Sequence, residues 1–174
     1  MCAKEVESFE ERKPRERKPK SAEQALAALM RLCARSEKSS GDALRLMSQW
    51  QVPQAERAGV LDRLLRDRFI DDSRYAEAYV REKSRLSGWG ARKIAMQLRQ
   101  KGVAQDIIAE ALKLLDSDVE LPRLVEKLRR KMRSTKYSSD YELRGKLLRY
   151  ALSLGFDYDM AQRAVEESFA EQDL

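Results

Sequence analysis

Adjacent Asp71 and Asp72, in the stretch RFIDDSRYAEAYVREK, come closest to a reactive pair, because two neighbouring carboxylates could ligate a cation or exchange a proton. The rest of such a site is missing. No histidine occurs in the 174 residues, no further ligand set lies close in sequence, and Cys2 and Cys33 are far apart without CxxC spacing. There is no phosphate-cradling GxxxxGK[ST] loop and no Cys/His pair. The expectation is a protein that is not an enzyme and uses neither a metal nor a cofactor.

The acids have a local role instead. With Asp71 as N-cap, its carboxylate accepts a hydrogen bond from an otherwise unpaired backbone N–H, and Asp72 opposes the positive end of the helix dipole. Ile70 and Tyr75 then have the spacing of a hydrophobic staple. Tyr75, Ala76, Tyr79 and Val80 repeat as one buried helical face, with Arg74, Arg81, Lys83 and Arg85 around it.

The same signals recur along the chain. Ser21 precedes Gln24 and Ser139 precedes Glu142 in capping-box spacing, Ser39 precedes Asp42, Pro53 suits a first helical turn, and Gly102 and Gly155 suit left-handed positions after helices. Hydrophobic residues are 43% of the chain and charged residues 37%, and alternating strand-like runs are missing. An all-α protein is expected. The longest apolar run, Ala25 to Met30, is far short of a membrane span, so a soluble cytoplasmic protein with reduced cysteines is expected.

A shift of 53 residues lays Lys93 on Lys146, Ile94 on Leu147, Leu98 on Ala151, Gly102 on Gly155 and Val103 on Phe156. A shift of 51 lays Met47 on Leu98 and Val52 on Val103, with Gln51 where the later turns have glycine. Three diverged three-helix repeats follow, over 21–70, 71–117 and 118–174, preceded by a disordered charged tail over 1–20. Units this small bury little surface alone, so they are expected to stack as an elongated, curved array. Helices are expected at 22–35, 40–50 and 54–67, then 72–86, 90–101 and 104–115, then 119–133, 139–153 and 157–170.

Net charge is +6, and it is segregated. Arg81, Lys83, Arg85, Arg92, Lys93, Arg99 and Lys101 form one basic block, with Glu82 the only acid between them. Arg129, Arg130, Lys131, Arg133, Lys136, Arg144, Lys146 and Arg149 form another, whereas the third helices are acidic. If equivalent helices occupy equivalent sides, one edge of the array is basic, a surface for a partner with repeated charge. Trp89, between Gly88 and Gly90, is either an interface aromatic or a packing plug, and Tyr137 and Tyr141 are open to either placement.

The segments RFIDDSRYAEAYVREKSR, GWGARKIAMQLRQKGV and IIAEAL closely resemble the RecX family of recombination regulators. The motif positions are Asp71, Asp72, Arg74, Tyr75, Ala76 and Gly102, and the resemblance extends more weakly over 22–170. It implies an elongated repeat protein that lies along the groove of the RecA recombinase filament and lowers its ATPase and strand-exchange activity in recombination and DNA repair. The bottom-up alternative is a nonspecific nucleic-acid-binding helical module, and a weak contact with single- or double-stranded DNA is expected in either case. A serial array needs no symmetric partner, so a monomer is expected.

Overall fold

The computed structural model describes residues 18–170, and every regular element among them is helical. They are α1 (Ala22–Cys33), α2 (Ser40–Gln49), α3 (Gln54–Arg66), α4 (Asp72–Glu82), a π turn (Lys83–Ser87), α5 (Ala91–Gln100), α6 (Gln105–Leu112), α7 (Ser117–Arg133), α8 (Asp140–Ser153) and α9 (Tyr158–Ala170). The tail expected over 1–20 falls mostly outside the described residues. Lys20 is described, and its N–H bonds to the Trp50 carbonyl.

The helices start where short polar side chains answer unpaired backbone donors. Ser21 and Gln24 form a reciprocal capping box, and Ser39, Asp71, Asp116 and Ser139 each accept a backbone N–H from the first turn that follows. Two expectations shift. Pro53 stands at the N-cap rather than inside the first turn, and Glu142 reaches back to the N–H and hydroxyl of Ser138 instead of the backbone of Ser139. The helix expected to run to residue 86 stops at Glu82, because the chain widens into the π turn and leaves it through Gly88 at φ 61°. α6 likewise ends at Leu112, and residues 113–115 tighten into i→i−3 bonds.

Three apolar cores follow one another along the chain. The first gathers Leu29, Met47, Val52, Leu64 and Ile70, the second Tyr75, Val80, Ile94, Leu98 and Ile108, the third Leu124, Leu128, Leu143, Leu147 and Phe156. In every unit the first and third helices pack directly on each other, α1 on α3, α4 on α6 and α7 on α9. Ile70 belongs to the first core and Tyr75 to the second, so the expected staple is replaced by a division of labour. The residue before the cap closes one unit, and the helix after it opens the next.

α2, α5 and α8 all end in the same hydrogen-bonded turn. Val52, Val103 and Phe156 donate to the carbonyls of Met47, Leu98 and Ala151, while Gln51, Gly102 and Gly155 donate to Ser48, Arg99 and Leu152. This Schellman pattern requires a left-handed residue at its centre, and φ there is 57°, 75° and 93°. Gln51 thus adopts the glycine conformation without being glycine, at a strain of about 1–2 kcal/mol. Glycine is needed at the other two turns for a second reason, the closeness of the neighbouring unit. A Cβ on Gly102 would stand 2.8 Å from the Cα of Gly41, and one on Gly155 would collide with the backbone of Lys93.

Alanine at Gly102 or Gly155 is expected to lower stability by about 2 kcal/mol or more, from strain and collision together, whereas Gln51→Gly changes it by less than about 1 kcal/mol. Urea unfolding of the three variants measures the contrast.

Candidate partner-binding surface

The middle helices of successive units meet end to end. The N–H groups of Gly90 and Arg92 at the start of α5 bond to the carbonyls of Leu154 and Gly155 that end α8, at 2.9 and 3.0 Å. The Ser39 hydroxyl at the start of α2 donates to the carbonyl of Lys101 at the end of α5, at 2.7 Å. Donors left over at one helix end therefore meet acceptors left over at the next.

Side chains reinforce these contacts, and several candidate binding residues are engaged in them. The ammonium of Lys101 lies 3.4 Å from the buried carboxylate of Asp42, and Lys93, which takes the place of Asp42 one unit on, donates to the Ser153 carbonyl. Both join units to each other. Trp89 is partly buried and packs against the second and third cores at once, with Lys93 4.7 Å and Lys83 5.6 Å from its ring centre. It is a plug between units, and its ring is flanked by lysines.

The motif around Asp71 acquires its full meaning here. Asp71 caps α4 by accepting from the Arg74 N–H at 3.0 Å, and Asp72 accepts the N–H of Ser40, the first residue of α2, at 2.8 Å. Arg74 grips Glu37 of the first unit with two bonds, at 2.6 and 3.1 Å. Tyr75 and Ala76 then enter the second core, where burial pushes the Tyr75 hydroxyl up to about 12. Nothing in this set resembles a cation site. Among the described residues, no group of three or more His, Cys, Asp or Glu is placed to hold a metal ion.

Other basic candidates have local partners. Arg81 pairs with Glu77, Lys83 with Glu82, Arg130 with Glu126 and Lys146 with Glu142. Arg129 donates to the Glu167 carbonyl, Lys131 lies over Tyr150 and Arg144 over Phe169. The Glu142 carboxyl is held at about 2, first by its bond to Lys146 and then by those to Ser138.

Exposed cations with neither an ion pair nor a ring contact among the described residues are a smaller group from the predicted set: Arg85, Arg92, Arg99, Arg133, Lys136 and Arg149. Apolar and aromatic side chains stand among them. Leu86 on the π turn is 82% exposed, Met96 lies one turn from Arg92 and Arg99 on the outer face of α5, and Tyr141 on α8 is 88% exposed. A groove of about 640 Å³ between α8 and α9 has Tyr141, Arg149 and Tyr158 on its rim and Leu148 and Val165 among its lining. Leu86 and Met96 were invisible to a search for charge, and the placement of Tyr137 and Tyr141 on the surface resolves what their sequence context left open.

An array of small helical units, with its reactive side chains engaged in joining them and arginines mixed with apolar groups outside, defines a binding protein of the tandem-repeat class. The chain belongs to the RecX family. The family's second three-helix domain matches residues 71–112 and its third matches 118–165. The regulatory protein RecX of Mycolicibacterium vanbaalenii is 30% identical over 159 residues, covering 88% of this chain and 86% of the relative. RecX of Clostridium botulinum (strain Eklund 17B / Type B) is 34% identical over 110 residues, 62% of this chain, and the match spans about half (51%) of that relative's length. The crystal structure of RecX from Lactobacillus salivarius superimposes with a TM-score of 0.76 at 20% identity, over 85% of this chain and 96% of that one. A second RecX crystal structure gives 0.72 at 22% identity, over 83% and 71%. No helix among the described residues is long and apolar enough to cross a membrane.

Asp72→Ala, which leaves the Ser40 N–H without its acceptor, is expected to cost about 1–2 kcal/mol of stability. Arg92→Glu combined with Arg99→Glu is expected to stay within about 0.5 kcal/mol of the parent, because neither side chain has a partner to lose. Thermal unfolding of the two variants separates joining residues from surface residues.

Proposed function

We propose that this chain is a non-enzymatic regulator that docks along the groove of the RecA filament and lowers its ATPase and strand-exchange activity. Family membership supports a regulator of RecA. The observation that carries docking is the distribution of unengaged groups. Arg92, Met96 and Arg99 occupy one exposed stripe of α5, and Arg149 stands at the position of α8 corresponding to Met96, whereas Arg45 at that position of α2 is paired with Asp42. A partner that itself repeats can meet such positions in several units together, so weak contacts add without any one of them being strong.

A second reading, nucleic-acid binding, draws on the exposed rings of Tyr141 and Tyr158 beside Arg149, a combination suited to stacking of unpaired bases and to phosphate. Salt divides the two, since a phosphate-dominated contact weakens steeply as counterions compete, whereas a docking contact with apolar content persists further.

The test is ATP hydrolysis by preformed filaments on single-stranded DNA, titrated with this protein at two DNA concentrations. Docking predicts inhibition well below the amount that would cover the DNA, little relieved by added free DNA, and weakened about tenfold or more in the Arg92→Glu, Arg99→Glu variant, on the order of 1.4 kcal/mol. Inhibition only near DNA saturation, and abolished by extra DNA, would favour the nucleic-acid reading. No inhibition at all would end the regulatory one.

A further inference from the structure

The two junctions between units are built differently. Between the first and second, Asp72 and Arg74 hold Ser40 and Glu37 across the boundary. α7 begins as α4 does, with Asp116 as N-cap in place of Asp71, and aligning the caps sets Ser117 on Asp72, Val119 on Arg74 and Glu120 on Tyr75. Val119 has no guanidinium and Ser117 no carboxylate. In place of that clamp at the start of its first helix, the second junction has a single tie further along α7, where the Lys127 ammonium donates to the Ser87 carbonyl on the π turn.

Its tight side is the meeting of helix ends, where a Cβ on Gly90 would stand 2.6 Å from the Phe156 nitrogen. Its other side is only partly filled beside the Lys127–Ser87 bond. Facing the end of α4 and the π turn, α7 leaves a cavity of about 150 Å³ reaching Val80, Ser84 and Leu115, and a gap of about 20 Å³ reaching Gly88 and Phe156. Glu120 lines both.

Glu120 takes the place that a buried tyrosine fills one unit earlier, and it is only 9% exposed. Among the described residues its carboxylate accepts no hydrogen bond and has no cation at ion-pair distance. The charged groups around it are Arg81 and Arg85 from the α4 side, Asp116, Arg123 and Lys127 on or capping α7, and Asp157 ahead of α9. Burial raises the carboxyl to about 7, Arg123 opposes the rise, and Asp116 and Asp157 add to it.

We propose that the junction between the second and third units is an adjustable joint: it pivots on the contact of Gly90 with the Gly155–Phe156 turn, and the charge on Glu120 sets whether α7 closes against the π turn. The neutral carboxyl is compatible with a closed, dry junction, whereas the carboxylate draws water into the two gaps and opens it. The direction in pH follows from linkage. A carboxyl raised in the folded state contributes stability that is fully present below its unfolded value and is lost as pH rises through about 7. The joint does not depend on which partner the array binds.

Spin labels at Ala109→Cys and Arg163→Cys, in a Cys2→Ser, Cys33→Ser background, report the distance across this junction by pulsed electron resonance. Labels at Ala58→Cys and Ala109→Cys report the first junction. The expected result is a second-junction distance distribution that changes between pH 5.5 and 8.5 with a midpoint near pH 7, an unchanged first junction, and a Glu120→Gln variant fixed in the low-pH distribution at both extremes. The Glu120-containing protein's own pH series tests the joint even if the glutamine variant folds poorly. Superimposable distributions at both pH values, an equal change at the first junction, or a full pH response in the glutamine variant would overturn the proposal.

Discussion

A helix ends with backbone groups that its own hydrogen bonds cannot reach, and the arrangement of this molecule depends on answering them across unit boundaries. The first N–H groups of α5 find the last carbonyls of α8, and the cap of α2 finds the last carbonyl of α5. Such a contact brings backbone against backbone, which excludes a Cβ on either side and brings glycines to the boundary. The three sets of buried residues stay separate, while Trp89, partly buried, packs against both the second and the third. Each unit supplies its own hydrophobic burial, and its neighbours supply the hydrogen bonds for its ends.

This arrangement also decides which side chains remain available to a partner. A cation near a helix end is drawn to the carbonyls and carboxylates gathered there, as Lys93 and Lys101 are. Arg92, Arg99 and Arg149, on the outward stripes of α5 and α8, have no ion-pair partner among the described residues. The surface left over is a mixture of guanidinium, thioether and phenol groups rather than a continuous basic field. Arg is suited to such a surface, because its planar fork binds carboxylate or phosphate in two places and its stem lies on apolar groups.

Much of the local architecture was legible in the sequence. The caps at Ser21, Ser39, Asp71 and Ser139 and the left-handed turns at Gly102 and Gly155 depend on residues within five positions of one another, and spacing alone exposes them. The repeat offsets set Gln51 opposite the two glycines but left the geometry of its turn open, because a side chain there gives no left-handed signal. The pairing of Lys101 with Asp42, of Arg74 with Glu37 and of Lys93 with Ser153 was not legible, because those partners lie between 37 and 60 residues apart. Charge density singled out Lys93 and Lys101 as binding candidates without showing that each also has a partner across a unit boundary. The π turn was hidden for a different reason. Lys83 to Ser87 continues a helical pattern without interruption, and only Gly88 marks that the chain has left it.

The turn at Gln51 is the one member of the repeated set that no neighbouring middle helix covers. The N–H of Lys20 occupies its terminal carbonyl, and the Lys20 ammonium lies 3.9 Å from the centre of the Trp50 ring. A surface that joins units by one repeated operation would, if left open, join molecules by the same operation, and such head-to-tail contacts propagate without limit. Here that acceptor is satisfied from within the chain, and a side chain stands at the position where such an approach demands none.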